Sequence, residues 1–241
     1  MEKITSLQNK KVKDWCLLHK KKYRDETHTF LIEGEHLIEE ALKEGIVETI
    51  LYAESCPFSF EQKIEVTESI LQKISDNPSG ASYIAICHKL DSEPKEYKRI
   101  LMLDGIQDPG NLGTLIRTAV SFSFDAIYCS KETVDLYNEK VIRSTQGAFF
   151  HIPVIYKDLN EVIESLKEKG VQIVSTALEN AKNMEEILPS EKMAFILGNE
   201  GQGVSKECIQ NSDISLRIEM NGFESLNVGV AGGIIMYKYR K

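Results

Sequence analysis

Met193-Ala194-Phe195-Ile196-Leu197-Gly198-Asn199-Glu200-Gly201-Gln202-Gly203-Val204 is a short apolar run that ends in a loop of three glycines, an amide and a carboxylate. An unbroken apolar run of this length is the pattern of a strand buried on both faces, as in a parallel sheet covered by helices. The loop then falls at a strand's carboxyl end, where open α/β sheets bind ligands. Glycine there loses more conformational entropy than other residues. In exchange the backbone reaches positive φ or approaches a neighbour closely, which suits a loop that holds something.

The same alternation continues outward. Residues 100–103, 126–129, 152–156, 171–176 and 216–218 read as further strands, and 112–122, 138–146, 159–169 and 225–239 as helices. This predicts a parallel sheet with helices on both faces. Earlier in the chain, 29–33, 47–52 and 83–87 read as strands and 34–44 and 67–74 as helices, the last entered through Thr67. Asp91-Ser92-Glu93-Pro94-Lys95-Glu96 is polar and contains proline, the composition of a linker. Two α/β domains are therefore expected, 1–94 and 95–241. The second holds twelve of the fifteen glycines, so the specialised loops belong to it.

Composition narrows the class. The 241 residues are 42% apolar, enough for a substantial core. No apolar run approaches the roughly 18 residues of a membrane span, and the opening residues lack the apolar stretch of a signal peptide. Cysteines 16, 56, 87, 129 and 208 are odd in number, far apart and without a Cys-x-x-Cys pair. They read as reduced thiols of a cytoplasmic protein, not as a metal site or a disulfide frame. His19, His28, His36, His88 and His151 show no metal-ligand spacing, and Cys87-His88 reads as a strand end.

The net charge of −8 argues against a generic nucleic-acid binder until its distribution is considered. Residues 1–24 carry eight Lys or Arg against Glu2 and Asp14, a balance of +6 that leaves −14 for the rest. Such an arm places phosphate-binding charge locally; it is equally the pattern of a solvated helix face, since Val12, Trp15 and Leu18 give the segment a buried side.

A second glycine-rich turn, Asp104-Gly105-Ile106-Gln107-Asp108-Pro109-Gly110-Asn111, has phosphate-loop glycine spacing but Asn111 where that loop needs lysine. Gly198, Gly201 and Gly203 reverse the dinucleotide order, which excludes a dehydrogenase fingerprint. Beyond the turn, Asn111, Thr114 and Arg117 share one side of a helix. Asn111 suits an N-cap, and Arg117, among Leu115, Ile116, Ala119 and Val120, suits a snorkelling or carboxylate-paired arginine as well as one that meets a phosphate or oxyanion. A third segment, Asn221-Gly222-Phe223-Glu224-Ser225-Leu226-Asn227-Val228-Gly229-Val230-Ala231, feeds a helix of small residues. Leu226, Val230, Gly233, Ile234 and Tyr237 fall on one face of it, a pattern for a dimer interface or an internal seam.

Together, Asn111-Leu112-Gly113-Thr114-Leu115-Ile116-Arg117-Thr118-Ala119, Gly198-Asn199-Glu200-Gly201-Gln202-Gly203 and Ser225-Leu226-Asn227-Val228-Gly229-Val230-Ala231 resemble the three motifs of the SpoU (TrmH-type) RNA ribose 2′-O-methyltransferases of the SPOUT superfamily. Arg143-Ser144-Thr145-Gln146-Gly147-Ala148-Phe149-Phe150 resembles the family's connecting segment, so the likeness covers about residues 98 to 241. Residues 1–94, with Phe30-Leu31-Ile32-Glu33-Gly34, are similar to the family's L30e-like substrate-binding domain. Gly229 departs from the pattern, standing where the third motif usually has serine.

The resemblance implies a deep trefoil knot, an exception to the rule that chains do not thread loops, and a homodimer with its active site across the interface. It implies S-adenosylmethionine held by Thr176, Gly198, Asn199, Gly201, Ile218, Met220 and Leu226, and RNA, preferably ribosomal, as substrate. Asn111, Arg117, Glu200, Ser225 and Asn227 are the catalytic set it implies, without metal or membrane. A guanidinium stays protonated and is a poor base, so Arg117 is expected to stabilise the developing alkoxide electrostatically. Transfer RNA as substrate, methylation of a base nitrogen, and a non-catalytic RNA-binding assembly factor are the rival readings.

Overall fold

The computed structural model describes residues 2–91, 93–220, 222 and 225–241. Of the expected linker, Ser92 lies outside the described residues, as do Asn221, Phe223 and Glu224 of the expected glycine turn. The chain forms two compact units. One runs to Asp91 and takes in Tyr137–Arg143; the other runs to Leu136 and resumes over Ser144–Lys241.

The first unit contains β1 (Glu2–Ile4), α1 (Lys10–Leu17), α2 (Lys21–Thr27), β2 (Thr29–Glu33), α3 (Glu35–Lys43), β3 (Val47–Tyr52), β4 (Lys63–Val66), α4 (Glu68–Ile74) and β5 (Tyr83–His88). Its sheet has the order β1-β4-β3-β5-β2, with β1, β4 and β3 parallel and β5 antiparallel to both β3 and β2. Val12, Trp15 and Leu18 are buried against Ile70, Leu71 and Ile74, so the basic segment does own a buried side.

The basic segment is two helices, not one, and its eight cations differ in role. Arg24 is 2% exposed, with Nη1 donating to the carbonyls of Leu18 at 2.8 Å and His19 at 2.9 Å. That guanidinium replaces missing backbone partners where α1 hands over to α2, and is not available to RNA. Thr67 precedes α4, yet its hydroxyl pairs with Ser69 Oγ at 2.8 Å and does not cap the helix.

The second unit contains β6 (Arg99–Asp104), α5 (Pro109–Ser121), β7 (Ala126–Cys129), β8 (Val154–Tyr156), α7 (Leu159–Glu168), β9 (Gln172–Thr176), β10 (Lys182–Asn183), β11 (Met193–Gly198), α8 (Lys206–Gln210), β12 (Ile214–Arg217) and α9 (Val228–Lys238), with α6 (Glu139–Thr145) running between the units' segments. Among the described residues its strands form one all-parallel sheet in the order β10-β12-β9-β11-β6-β7-β8. All six residues of β11 are buried, as its apolar run requires. Leu159, Val162, Ile163 and Leu166 of α7 pack with Ile100, Met102, Ile173 and Ile196 in one core.

Helix α9 packs on α5 and β11 through its small residues. A Cβ on Gly232 would lie 2.3 Å from Leu115 Cδ2 and 2.8 Å from Leu197 Cδ1, so a side chain there would require those leucine methyls to move. Because β11 sits between β9 and β6, the loops that follow those two strands flank the Gly198 turn.

Candidate functional site

Gly198 ends β11 in register with Asp104, which ends β6. A side chain on Gly198 would place Cβ 2.0 Å from the Val204 nitrogen and 2.1 Å from the Gly203 carbonyl carbon, both backbone atoms. The loop therefore folds back onto its own start. Asn199 N donates to Gly203 O at 3.0 Å and Gly203 N returns to Asn199 O at 2.9 Å, with Gly203 at φ 73°.

Asn199 is the staple of this loop. Its Oδ1 accepts from Gly201 N at 2.9 Å and Gln202 N at 3.0 Å, and its Nδ2 donates to Gly105 O at 2.8 Å. One amide thus joins the loops after β11 and β6. Its polar atoms are spent on building the cradle. Asp104 Oδ2 accepts from Ser205 N at 2.8 Å and pins the loop's far end.

Helix α5 begins three residues before the expected start. Asp108 is its N-cap, accepting from Asn111 N at 2.8 Å, and Pro109 occupies the first turn where a missing N–H costs nothing. An Asp-Pro pair ahead of a helix is a signal the sequence does carry. Since Asp108 caps the helix, the Asn111 side chain is released for other work. Its Nδ2 donates to Glu200 Oε1 at 2.9 Å, and its Oδ1 accepts from Asn227 Nδ2 at 2.9 Å. Asn227 Oδ1 in turn accepts from Gly229 N at 2.9 Å and Val230 N at 3.3 Å, capping α9. Glu200, Asn111 and Asn227, one from each motif, form a single hydrogen-bonded relay.

Burial opposes the charge on Glu200, but the bond from Asn111 and backbone donors outweigh it. Gln107 N and Asp108 N each donate at 3.4 Å, and the carboxyl is held below its ordinary range. Arg117 lies on α5, exposed, and among the described residues its guanidinium has no hydrogen bond or ion pair. Among the described residues no carboxylate pairs with it, which leaves its fork of donors open to an oxyanion.

Ser225 is exposed, precedes α9 and makes no hydrogen bond among the described residues; the helix begins at Val228, not at 225. Thr176 ends β9 and donates Oγ1 to Ile196 O at 3.1 Å. Ile218 follows directly on β12 and is half-buried, while Met220 at 36% and Leu226 at 38% are exposed apolar side chains. Gly229 faces Thr114: a Cβ there would lie 3.3 Å from Thr114 Cγ2 and 3.1 Å from Asn227 Oδ1. Glycine leaves this α5–α9 contact unstrained. Ser144, in the connecting segment, donates Oγ to Pro109 O at 2.9 Å, and Gly113 leaves room for it.

Comparison with known proteins follows the same division. Residues 98–237 match the model of the SpoU rRNA Methylase family, and residues 9–85 match an MRM3-like substrate binding domain. The chain is 42% identical, over all of both chains, to the 23S rRNA (guanosine(2553)-2′-O)-methyltransferase RlmP of Bacillus subtilis (strain 168). It is similar to the rRNA methyltransferase of Sinorhizobium meliloti at 31% identity and a TM-score of 0.89, covering 98% of this chain and 96% of that one. An AdoMet-bound structure of that Sinorhizobium meliloti rRNA methyltransferase matches equally well, at TM-score 0.89 and 30% identity, again covering 98% of this chain and 96% of that one.

Proposed function

Because the chain belongs to the SpoU rRNA methylase family, we propose that it methylates a ribose 2′-hydroxyl of large-subunit ribosomal RNA, using S-adenosylmethionine, as a cytoplasmic homodimer. The observation that carries this reading is the Glu200–Asn111–Asn227 relay at the head of the helix that carries Arg117, whose guanidinium has no partner among the described residues. Three separate loops are locked together where a purely structural role would need no such agreement.

The residues present fit the cofactor. An adenosine needs apolar walls with backbone donors and acceptors close by. Met220 and Leu226 leave apolar surface uncovered, Gly201 leaves exposed backbone in the loop after β11, and Thr176 and Ile218 stand at the ends of β9 and β12. When bound, S-adenosylmethionine supplies an electrophilic methyl carried on a sulfonium.

The rest is done by the protein. Arg117 stabilises negative charge as it develops on the 2′-oxygen, an interaction stronger in the transition state than in the ground state. Glu200, held below the ordinary carboxylate range, is a weak base and keeps its charge. Its part is to orient Asn111 and the first turn of α5, so that Arg117, two turns on, is presented in a fixed position. Ser225, free of protein partners among the described residues, orients the ribose or cofactor.

The homodimer rests on α9. Val230 at 52%, Ile234 at 36% and Tyr237 at 58% are exposed along α9, whereas Leu226, expected on the same helix face, lies before the helix begins; Gly229, Gly232, Ile235 and Met236 face inward. A second copy of this helix face is the occupant that suits an apolar stripe beside a self-complementary small-residue helix. The family's threaded carboxyl-terminal chain belongs to the same reading, supported by the insertion of β11 between β9 and β6 and the return of α9 onto α5.

The test is a titration with S-adenosylmethionine followed by methyl transfer to a protein-free large-subunit transcript and nucleoside digestion. Saturable binding and a 2′-O-methylated nucleoside are expected. Absence of cofactor affinity would favour the non-catalytic RNA-binding reading, and a base-methylated product would exclude ribose chemistry.

A further inference from the structure

A second cavity, of about 660 Å³, opens on the side of the Gly198 loop toward β7 and β8. Neither Asn111, Arg117 nor Glu200 lines it, so it is not the place of the reacting ribose. It borders that place all the same. Gln107 and Gln202 are among the residues lining the cavity, while the Gln107 backbone donates to Glu200 and the Gln202 backbone donates to Asn199.

Its chemistry is that of base edges. Among the described residues the side-chain amides of Gln107 and Gln202 and the ammonium groups of Lys131 and Lys206 have no hydrogen bond or ion pair, while Lys157, the third lining cation, lies 3.9 Å from Glu93 Oε1. Two wall carboxylates are already engaged, Asp104 with Ser205 N at 2.8 Å and Asp158 as the cap of α7. Glu207 accepts from Asn160 Nδ2 at 3.3 Å, and Glu132 stands at the rim. Cations and carboxylates thus roughly balance, which does not make a phosphate trap. Free amides next to mixed donors and acceptors match the Watson–Crick and Hoogsteen edges of an unstacked base, the usual currency of single-stranded RNA recognition. The volume lies within the 300–1,000 Å³ typical of ligand pockets.

Resting on the proposed ribose chemistry, we infer that this cavity receives the base of an unpaired nucleotide flanking the methylated ribose, and that Gln107 and Gln202 read it. Both residues are exposed and bond Glu200 and Asn199 only through their backbones, so truncating them leaves the cradle in place.

The experiment compares wild type with Gln107→Ala/Gln202→Ala, and with the isosteric Gln202→Glu, on transcripts substituted one at a time at nucleotides flanking the methylated position. Wild type is expected to discriminate at least tenfold at one flanking position and the double variant less than threefold. Affinity for S-adenosylmethionine and the melting temperature stay unchanged, and kcat at saturating RNA stays within about threefold. Equilibrium binding of the same transcripts reads the discrimination without turnover. Loss of methyl transfer in wild type therefore sinks the proposed function, not this inference. A wild type indifferent to every flanking substitution, or a double variant that discriminates as wild type does, overturns it.

Discussion

Asn227 donates to Asn111 Oδ1 across 2.9 Å while its own Oδ1 accepts from the first N–H groups of α9. One side chain therefore caps the last helix and fixes the head of α5, so that the two roles separate by substitution. Asn227→Ala removes both and should cost about 1 kcal/mol of capping, lowering Tm by roughly 2–4 °C in a chain of this size. Asn227→Asp keeps the capping oxygen but turns a carboxylate toward Asn111 Oδ1. Its Tm should return to that of wild type while methyl transfer stays at least tenfold down, as calorimetry and initial rates will show.

Glu200 has a carboxyl held low in the folded protein, so its contribution is present above the unfolded value of about 4.3 and is lost as pH falls through the folded value. The loop should keep its form across pH 5 to 9. Glu200→Gln is expected to bind S-adenosylmethionine within threefold of wild type, to transfer at least tenfold more slowly, and to show an unchanged pH–rate profile above pH 5. A shifted acid limb in that variant would assign Glu200 a proton-transfer role instead.

At Gly198 any side chain meets backbone 2.0 Å away, which a rotamer change does not relieve. Gly198→Ala should destabilise the second unit by about 2 kcal/mol or more and abolish cofactor binding. Denaturant melts and cofactor titration check both.

In the first unit His19 Nδ1 lies 2.6 Å from Glu139 Oε1 and Nε2 lies 2.8 Å from Ile74 O. The bond to Glu139 raises the imidazole's pKa against the opposing effect of burial, with Ile74 O and the charge of Asp76 adding to it. A raised folded value means that the stabilisation is complete below the unfolded value of about 6.5 and is lost as pH rises through the folded one. Stability should therefore decline on the alkaline side of neutrality, and His19→Gln should flatten that decline in melts taken from pH 6 to 9.

The sequence made the second unit legible because buried parallel strands write themselves as apolar runs. Residues 193–197 and 126–129 needed no tertiary information. Short strands gave no such signal: the edge strands β1 and β10 are three and two residues long, and the interior β4 alternates among charged residues, so pairing alone defines them. Arg24 read as a surface cation because nothing local reveals that two carbonyls wait for it. The site's residue types were visible in Asn111, Glu200 and Asn227, but their union into one relay is a product of three loops meeting. Asn199 reads as a ligand contact in sequence; only the fold reveals that its amide is consumed in joining the loops after β6 and β11. Tyr137–Arg143 sits with the first unit although it lies in the second half of the chain, an exchange that no composition boundary marks.

Ribose methylation of large-subunit ribosomal RNA, with Arg117 at the reacting oxygen, is what we propose for this protein. Its most direct test maps 2′-O-methylated nucleotides in ribosomal RNA from cells lacking this protein, complemented with wild type or with Arg117→Ala. One 2′-O-methyl mark should be absent without the protein, return with wild type and stay absent with Arg117→Ala, while the purified variant still binds S-adenosylmethionine. Identical methylation maps in all strains, or full restoration by Arg117→Ala, would contradict the account.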